Sequence, residues 1–148
     1  MEFPTMRQSD IADMINAGVL VFGDLTYRGK CPAESAEQMT FFNWLRRDYP
    51  DTWGKLAFHP RNEGLKAKGQ FASVQKHAAE GMTAGVSDIV IPGQVSFVCE
   101  MKRRDHTQST FQPEQVEYLI AAHNAGAFSC VALGVDAARE GFFKWLTA

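Results

Sequence analysis

The stretch "GVSDIVIPGQVSFVCEMK", Gly85 to Lys102, constrains the fold more than any other part of the chain. Two runs of Ile, Val, Phe and Cys flank a Pro-Gly pair, the pattern of two short strands and a turn. The strands are expected at about 87–91 and 95–102. Three charged side chains, Asp88, Glu100 and Lys102, interrupt them. Side chains alternate faces along a strand, so Phe97, Cys99 and Met101 share one face and Val98, Glu100 and Lys102 the other. With a three-residue turn at Pro92, Gly93 and Gln94, Ile91 pairs with Val95 and Asp88 lies opposite Val98. Asp88 is then a diagonal neighbour of Glu100 on the same face, about 7–8 Å away at the backbone. A two-residue turn would move Asp88 to the other face.

Two carboxylates that close repel unless a cation lies between them. Hard divalent ions such as Mg²⁺ take oxygen ligands in a near-octahedral shell. Asp88, Glu100 and the carbonyl of Met101 could provide them, with Lys102 one strand step away on the same face. An ammonium there can stabilise charge developing on a phosphorane or orient an attacking water. The plain alternative is a pair of salt-bridging residues at a strand end, because acid–x–lysine is a common tripeptide. The preceding Asp88, the strand-turn-strand context and the apolar opposite face favour a site.

The remaining chain supplies the frame. Ser9 can cap a short helix, roughly 10–17, that ends at Gly18, followed by a weak strand and loop in "GVLVFGDLTYRGKCP". A long helix is expected from Pro32 to about Asp48, then a strand at "KLAFH" and a loop at "PRNEGLKAKGQ". A helix follows at about Phe71 to Glu80. After the hairpin, Pro113 opens a helix that ends before Gly126, "FSCVALG" reads as a buried strand, and Asp136 caps a final helix through Leu146. From the long helix onward the order is α-β-α-β-β-α-β-α, an α/β sandwich around a central mixed β-sheet flanked by helices. Its 148 residues suit one domain, here read as 32–148, with 1–31 as an N-terminal extension.

Within "PAESAEQMTFFNWLRRDYP", Glu37, Phe41, Trp44 and Leu45 fall on one helical stripe, which turns Glu37 toward the core. A buried carboxylate needs a partner, and a metal would serve. Equally, acids favour first helical turns, and Glu37 can sit at the edge of the stripe. Gln112 and Gln115 flank the stripe Val116, Leu119, Ile120 and His123, and either could hydrogen-bond a water or a phosphate. The four histidines lack metal spacing and read as bystanders. Net charge is −2, so any affinity for nucleic acid must come from local patches. Two basic groups offer one: Arg61, Lys66, Lys68 and Lys76, and the "KRR" of Lys102, Arg103 and Arg104. Three cysteines without CxxC spacing, with Cys99 and Cys130 inside apolar runs as buried thiols, suggest a reducing, cytoplasmic compartment. No signal peptide and no membrane span is read in the sequence.

Taken together, "GMTAGVSDIVIP", "FVCEMK" and "FQPEQVEYL…AGAFSCVALGVDAA" resemble the VRR-NUC branch of the PD-(D/E)XK nuclease superfamily, over roughly Glu34 to Leu146. The resemblance implies a restriction-endonuclease-like fold, a divalent metal (Mg²⁺ or Mn²⁺) and hydrolysis of DNA phosphodiesters. It assigns Asp88 and Glu100 as metal ligands, Lys102 as the catalytic lysine, Gln115 as the glutamine opening the next helix and Glu37 as the acid of the first helix. "HPRNEG" resembles the family segment after the first strand, which makes Asn62 a weaker candidate. Ser87 stands where the family usually has proline, a residue that shapes the turn and does no chemistry. Small stand-alone viral or prophage members of this kind suggest branched DNA, such as a four-way (Holliday) junction. Symmetric cutting there calls for a homodimer, and Ile11, Met14, Ile15, Val19, Leu20 and Val21 offer apolar surface for it unless they fold back on their own domain. The alternative is a catalytically silent DNA-binding or assembly domain on the same fold. A small-molecule enzyme is disfavoured, since no glycine-rich phosphate loop, nucleophile elbow or Cys–His pair is present.

Overall fold

The computed structural model describes residues 8–61 and 71–148. Four strands, β1 (Leu20–Phe22), β2 (Ile89–Ile91), β3 (Phe97–Lys102) and β4 (Phe128–Leu133), form one sheet in the order β1-β4-β3-β2. β1, β4 and β3 are mutually parallel and β2 is antiparallel to β3. The helices are α1 (Gln8–Asn16), α2 (Glu34–Asp48), α3 (Trp53–Leu56), α4 (Phe71–Ala79), α5 (Pro113–Asn124) and α6 (Val135–Leu146), with a 3₁₀ turn at His106–Gln108. The fold is therefore an α/β sandwich with a mixed sheet, as the element order predicts.

The period of two along the strands divides the core. Phe97, Cys99 and Met101 of β3, with Cys130 and Ala132 of β4, face α2 and α6. Val98 of β3, with Val131 and Leu133 of β4, faces α1 and α5. On the first face Phe142 is fully buried, edge-on to Trp44 at 5.5 Å and to Tyr49 at 5.3 Å between ring centroids. Truncating Phe142 to Ala would cost about 3–5 kcal/mol, the usual size of an aromatic cavity. Glu100 and Lys102 lie on the second face, next to the start of α5.

The hairpin register differs from expectation by two residues. Ile91 pairs with Phe97 and Ile89 with Cys99, so the connection runs from Pro92 to Ser96. Tertiary partners draw these residues out of the ladder: Trp145 Nε1 donates to the Val95 carbonyl at 2.8 Å, and Phe128 N–H donates to the Ser96 carbonyl at 2.8 Å. A shift of two preserves parity, so Asp88 keeps the face of Glu100. Continuing the observed register by one step sets Asp88 across from Glu100, not from Val98.

Three other expectations change. "KLAFH" is not a strand: Lys55 and Leu56 close the short helix α3 on the Thr52 carbonyl, and only Phe58 bridges to Val90. The segment 8–31 is no separate extension, because β1 is an edge strand of the sheet and Ile11, Met14 and Val19 are buried. Finally, α6 is capped by Gly134 at φ 92°, with Asp136 exposed in its first turn.

Candidate active site

β3 ends with Glu100, Met101 and Lys102, all buried. Asp88 sits just ahead of β2, and its Oδ2 accepts from the Met101 amide at 2.9 Å. In an extended strand a residue's N–H and C=O leave the chain on the same side. The Met101 carbonyl therefore also faces the Asp88 side, beyond the last pair of the β2–β3 ladder. Gly85, at φ 77°, lets this segment run against α5: a Cβ there would lie 2.3 Å from the Glu114 carbonyl oxygen.

Glu100 is 2% exposed. Its Oε1 accepts from Gln115 Nε2 at 3.1 Å and lies 3.6 Å from Lys102 Nζ. Its Oε2 is buried without a hydrogen-bond partner. Burial pushes the Glu100 carboxyl well above its usual range, and the charge of Asp88 adds to the push; Lys102 opposes it, and Glu34 raises it further.

Lys102 is also 2% exposed. Its ammonium donates to the Thr110 carbonyl at 2.6 Å and to Gln115 Oε1 at 3.3 Å, and it lies 4.3 Å from the centroid of the Phe111 ring. Gln115 is fixed by the helix start: Gln112 N–H donates to the same Oε1 at 3.0 Å. One carboxamide thus meets Lys102 with its oxygen and Glu100 with its nitrogen, which holds the pair in register.

Glu37 does not join this cluster. It is buried, as its stripe implies, but its Oε2 accepts the Val135 N–H at the first turn of α6. It lines a separate cleft at the ends of β1 and β4 with Arg104, Lys30 and Gly134. Among the described residues, no three His, Cys, Asp or Glu side chains converge closely enough to hold a metal ion. The α2 acid whose charge reaches Glu100 is Glu34, one turn earlier, and its Oε1 accepts from Ser109 Oγ at 2.7 Å. Sequence reasoning missed Glu34 because it weighed only the apolar stripe. It also set aside His59, whose Nδ1 lies 2.8 Å from the Asp88 carbonyl.

The basic candidates are dispersed. Arg103 NH1 donates to Gln108 Oε1 at 3.3 Å, Arg104 stacks 4.0 Å from the centroid of Tyr27, and Lys76 pairs with Glu80 at 3.8 Å. Arg61 is exposed. Asn62, Lys66 and Lys68 lie outside the described residues. Among the described residues, no helix is long and apolar enough to cross a membrane.

No protein-family model matches this sequence, and no curated protein matches it. A solved structure described as a VRR_NUC domain protein is similar, with a TM-score of 0.64 and 19% identity over 82% of this chain and 92% of that one. The chain has the VRR-NUC fold. Within that fold the cluster fits a hard divalent ion by its own chemistry. Asp88 and Glu100 offer carboxylate oxygens, one of them buried and unpartnered, and the Met101 carbonyl shares their side.

Proposed function

We propose that this protein is a divalent-metal-dependent DNA endonuclease that hydrolyses phosphodiester bonds. The observation that carries the reading is the half-buried Asp88 set against a buried Glu100, with an unpartnered Glu100 oxygen, beside a buried Lys102. A silent binding module has no use for two carboxylates held together against their repulsion. Asp88, Glu100 and the Met101 carbonyl would hold Mg²⁺ or Mn²⁺, and Glu34, in place of Glu37, adds negative charge nearby. When bound, the ion supplies Lewis-acid polarisation of the phosphodiester. Lys102 contributes a fixed cation toward charge developing on the phosphate. Gln115 orients both Lys102 and Glu100, and the Phe111 ring shields the ammonium from water.

Arg103, Arg104, Arg61 and Lys76 are the described members of the basic groups that the sequence offers for phosphate contacts, and a net charge of −2 leaves the binding to such local groups. We extend the proposal to branched DNA cut by a homodimer. Ile15 and Leu20 support it, because they remain 50% and 43% exposed while their neighbours Ile11, Met14 and Val19 are spent on the protein's own core. The deciding assay is plasmid nicking with Mg²⁺ or Mn²⁺ by wild type and Lys102→Met. Wild-type nicking that the variant loses supports the endonuclease. No nicking with either metal, or equal nicking by the variant, overturns it.

A further inference from the structure

The face of α2 next to the core stripe carries a second pattern. Glu34, Gln38, Phe42 and Arg46 recur every four residues, so they form one ridge. The ridge begins at the acid felt by Glu100 and runs away from it. Gln38 lies one helical turn, about 6 Å along the axis, from Glu34. Beside it, Gln38, Met39, Phe42, Asn43, Arg46 and His59 line an open cleft of about 240 Å³. His59 is also the residue whose Nδ1 meets the Asp88 carbonyl at 2.8 Å. A carbonyl only accepts, so Nδ1 carries the proton and Nε2 is left for the cleft. One imidazole therefore joins the cavity wall to the strand of the candidate metal site.

The lining defines the occupant. Two carboxamides each offer a donor and an acceptor, and His59 adds a second ring nitrogen. The 65%-exposed Met39 gives polarisable surface over the largely buried Phe42, and Arg46 holds its guanidinium 5.1 Å from the Phe42 centroid, where its planar face can stack. Among the described residues, no carboxylate lines the cavity. Its volume is below that of sites for drug-sized ligands, and suits a single planar ring system. We infer that this cavity receives the base of an unpaired nucleotide next to the scissile phosphate. A base within a duplex is stacked and its edge is paired. Only a nucleotide in a single strand, flap or junction can enter at small cost. The inference rests on the endonuclease reading and deepens it, because it makes strand structure beside the cut a determinant of binding.

The test uses the full chain with flap DNA, in Ca²⁺ to support binding, read by fluorescence anisotropy. The probes carry either a base or an abasic tetrahydrofuran unit at the unpaired nucleotide beside the cut. Stacking and edge contacts of this kind change affinity about 5- to 100-fold. Wild type should bind the base-bearing flap at least fivefold more tightly than the abasic one. Asn43→Ala and Gln38→Ala should each narrow that ratio while leaving duplex affinity unchanged. Both are surface substitutions, and thermal melts check that they fold. Equal affinity of wild type for the two flaps overturns the inference. Nicking of plasmid in Mg²⁺ or Mn²⁺ is read separately. Nicking without base discrimination removes the base cavity and leaves the nuclease; discrimination without nicking keeps the cavity and removes the nuclease.

Discussion

Glu100→Gln should make the metal-free protein more stable while removing its response to metal. In the structure Glu100 is 2% exposed, one of its oxygens has no partner, and Asp88 repels it. A glutamine of the same shape can keep the contact with Gln115 through its oxygen and present an N–H to Asp88. A buried unsatisfied polar group costs about 1–3 kcal/mol, so the variant should gain about that much. For a chain of this size that is a rise in Tm of about 2–12 °C. The pH dependence follows the same logic. Because burial raises the Glu100 pKa above its ordinary value of 4.5, the native state binds its proton more tightly than the unfolded chain does. Stability from this group is therefore greatest in acid and falls as pH rises from about 4.5 through the raised pKa. The assay is differential scanning fluorimetry in EDTA between pH 5 and 8, repeated with millimolar Mg²⁺ or Mn²⁺. Wild type should lose Tm toward pH 8 and recover it with metal, which binds only the folded site. The variant should start higher in EDTA and respond less to both pH and metal. If Glu100→Gln melts below wild type in EDTA, and its metal response is unchanged, the carboxylate is not under the stress described.

Lys102→Met should lose most cleavage yet still bind DNA, because the carboxylates remain; cleavage at the wild-type rate removes the lysine from the chemistry. Glu34→Gln should shift the metal titration of nicking with little change in Tm. Glu37→Gln should cost about 0.5–2 kcal/mol through the weakened cap on α6 and leave that titration alone; the reverse outcome returns Glu37 to the site. Asp105, lowered to about 2 first by the Thr107 hydroxyl and then by the Gly29 amide, ties the loop after β1 to the turn after β3. Its contribution should persist at neutral pH and fade only as pH falls from about 4 through 2, and Asp105→Ala should speed hydrogen exchange at Gly29. Light scattering at micromolar concentration should report a dimer that Ile15→Glu weakens; a strict monomer that cuts junction and linear DNA equally removes the dimer and junction proposals together.

Alternation along β3, the Pro113 start of α5 and the order of elements from β2 onward were legible from residue types, because each is a local property of backbone geometry. The shared face of Asp88, Glu100 and Lys102 was legible too, since parity survives a register shift of two. The register itself was decided by Trp145 and Phe128, which claim the carbonyls of Val95 and Ser96 from far along the chain. Glu34 and Glu37 are both acids of one first helical turn, and helical spacing cannot say which of two neighbouring faces meets β3. The meeting of α2 with α6 gave Glu37 to the Val135 amide and left Glu34 within electrostatic reach of Glu100. The N-terminal segment looked separate because three residues of strand carry little pattern alone. Its place came from the parallel pairing of Leu20–Phe22 with Cys130–Ala132, a contact more than a hundred residues distant that only the closed sheet could create.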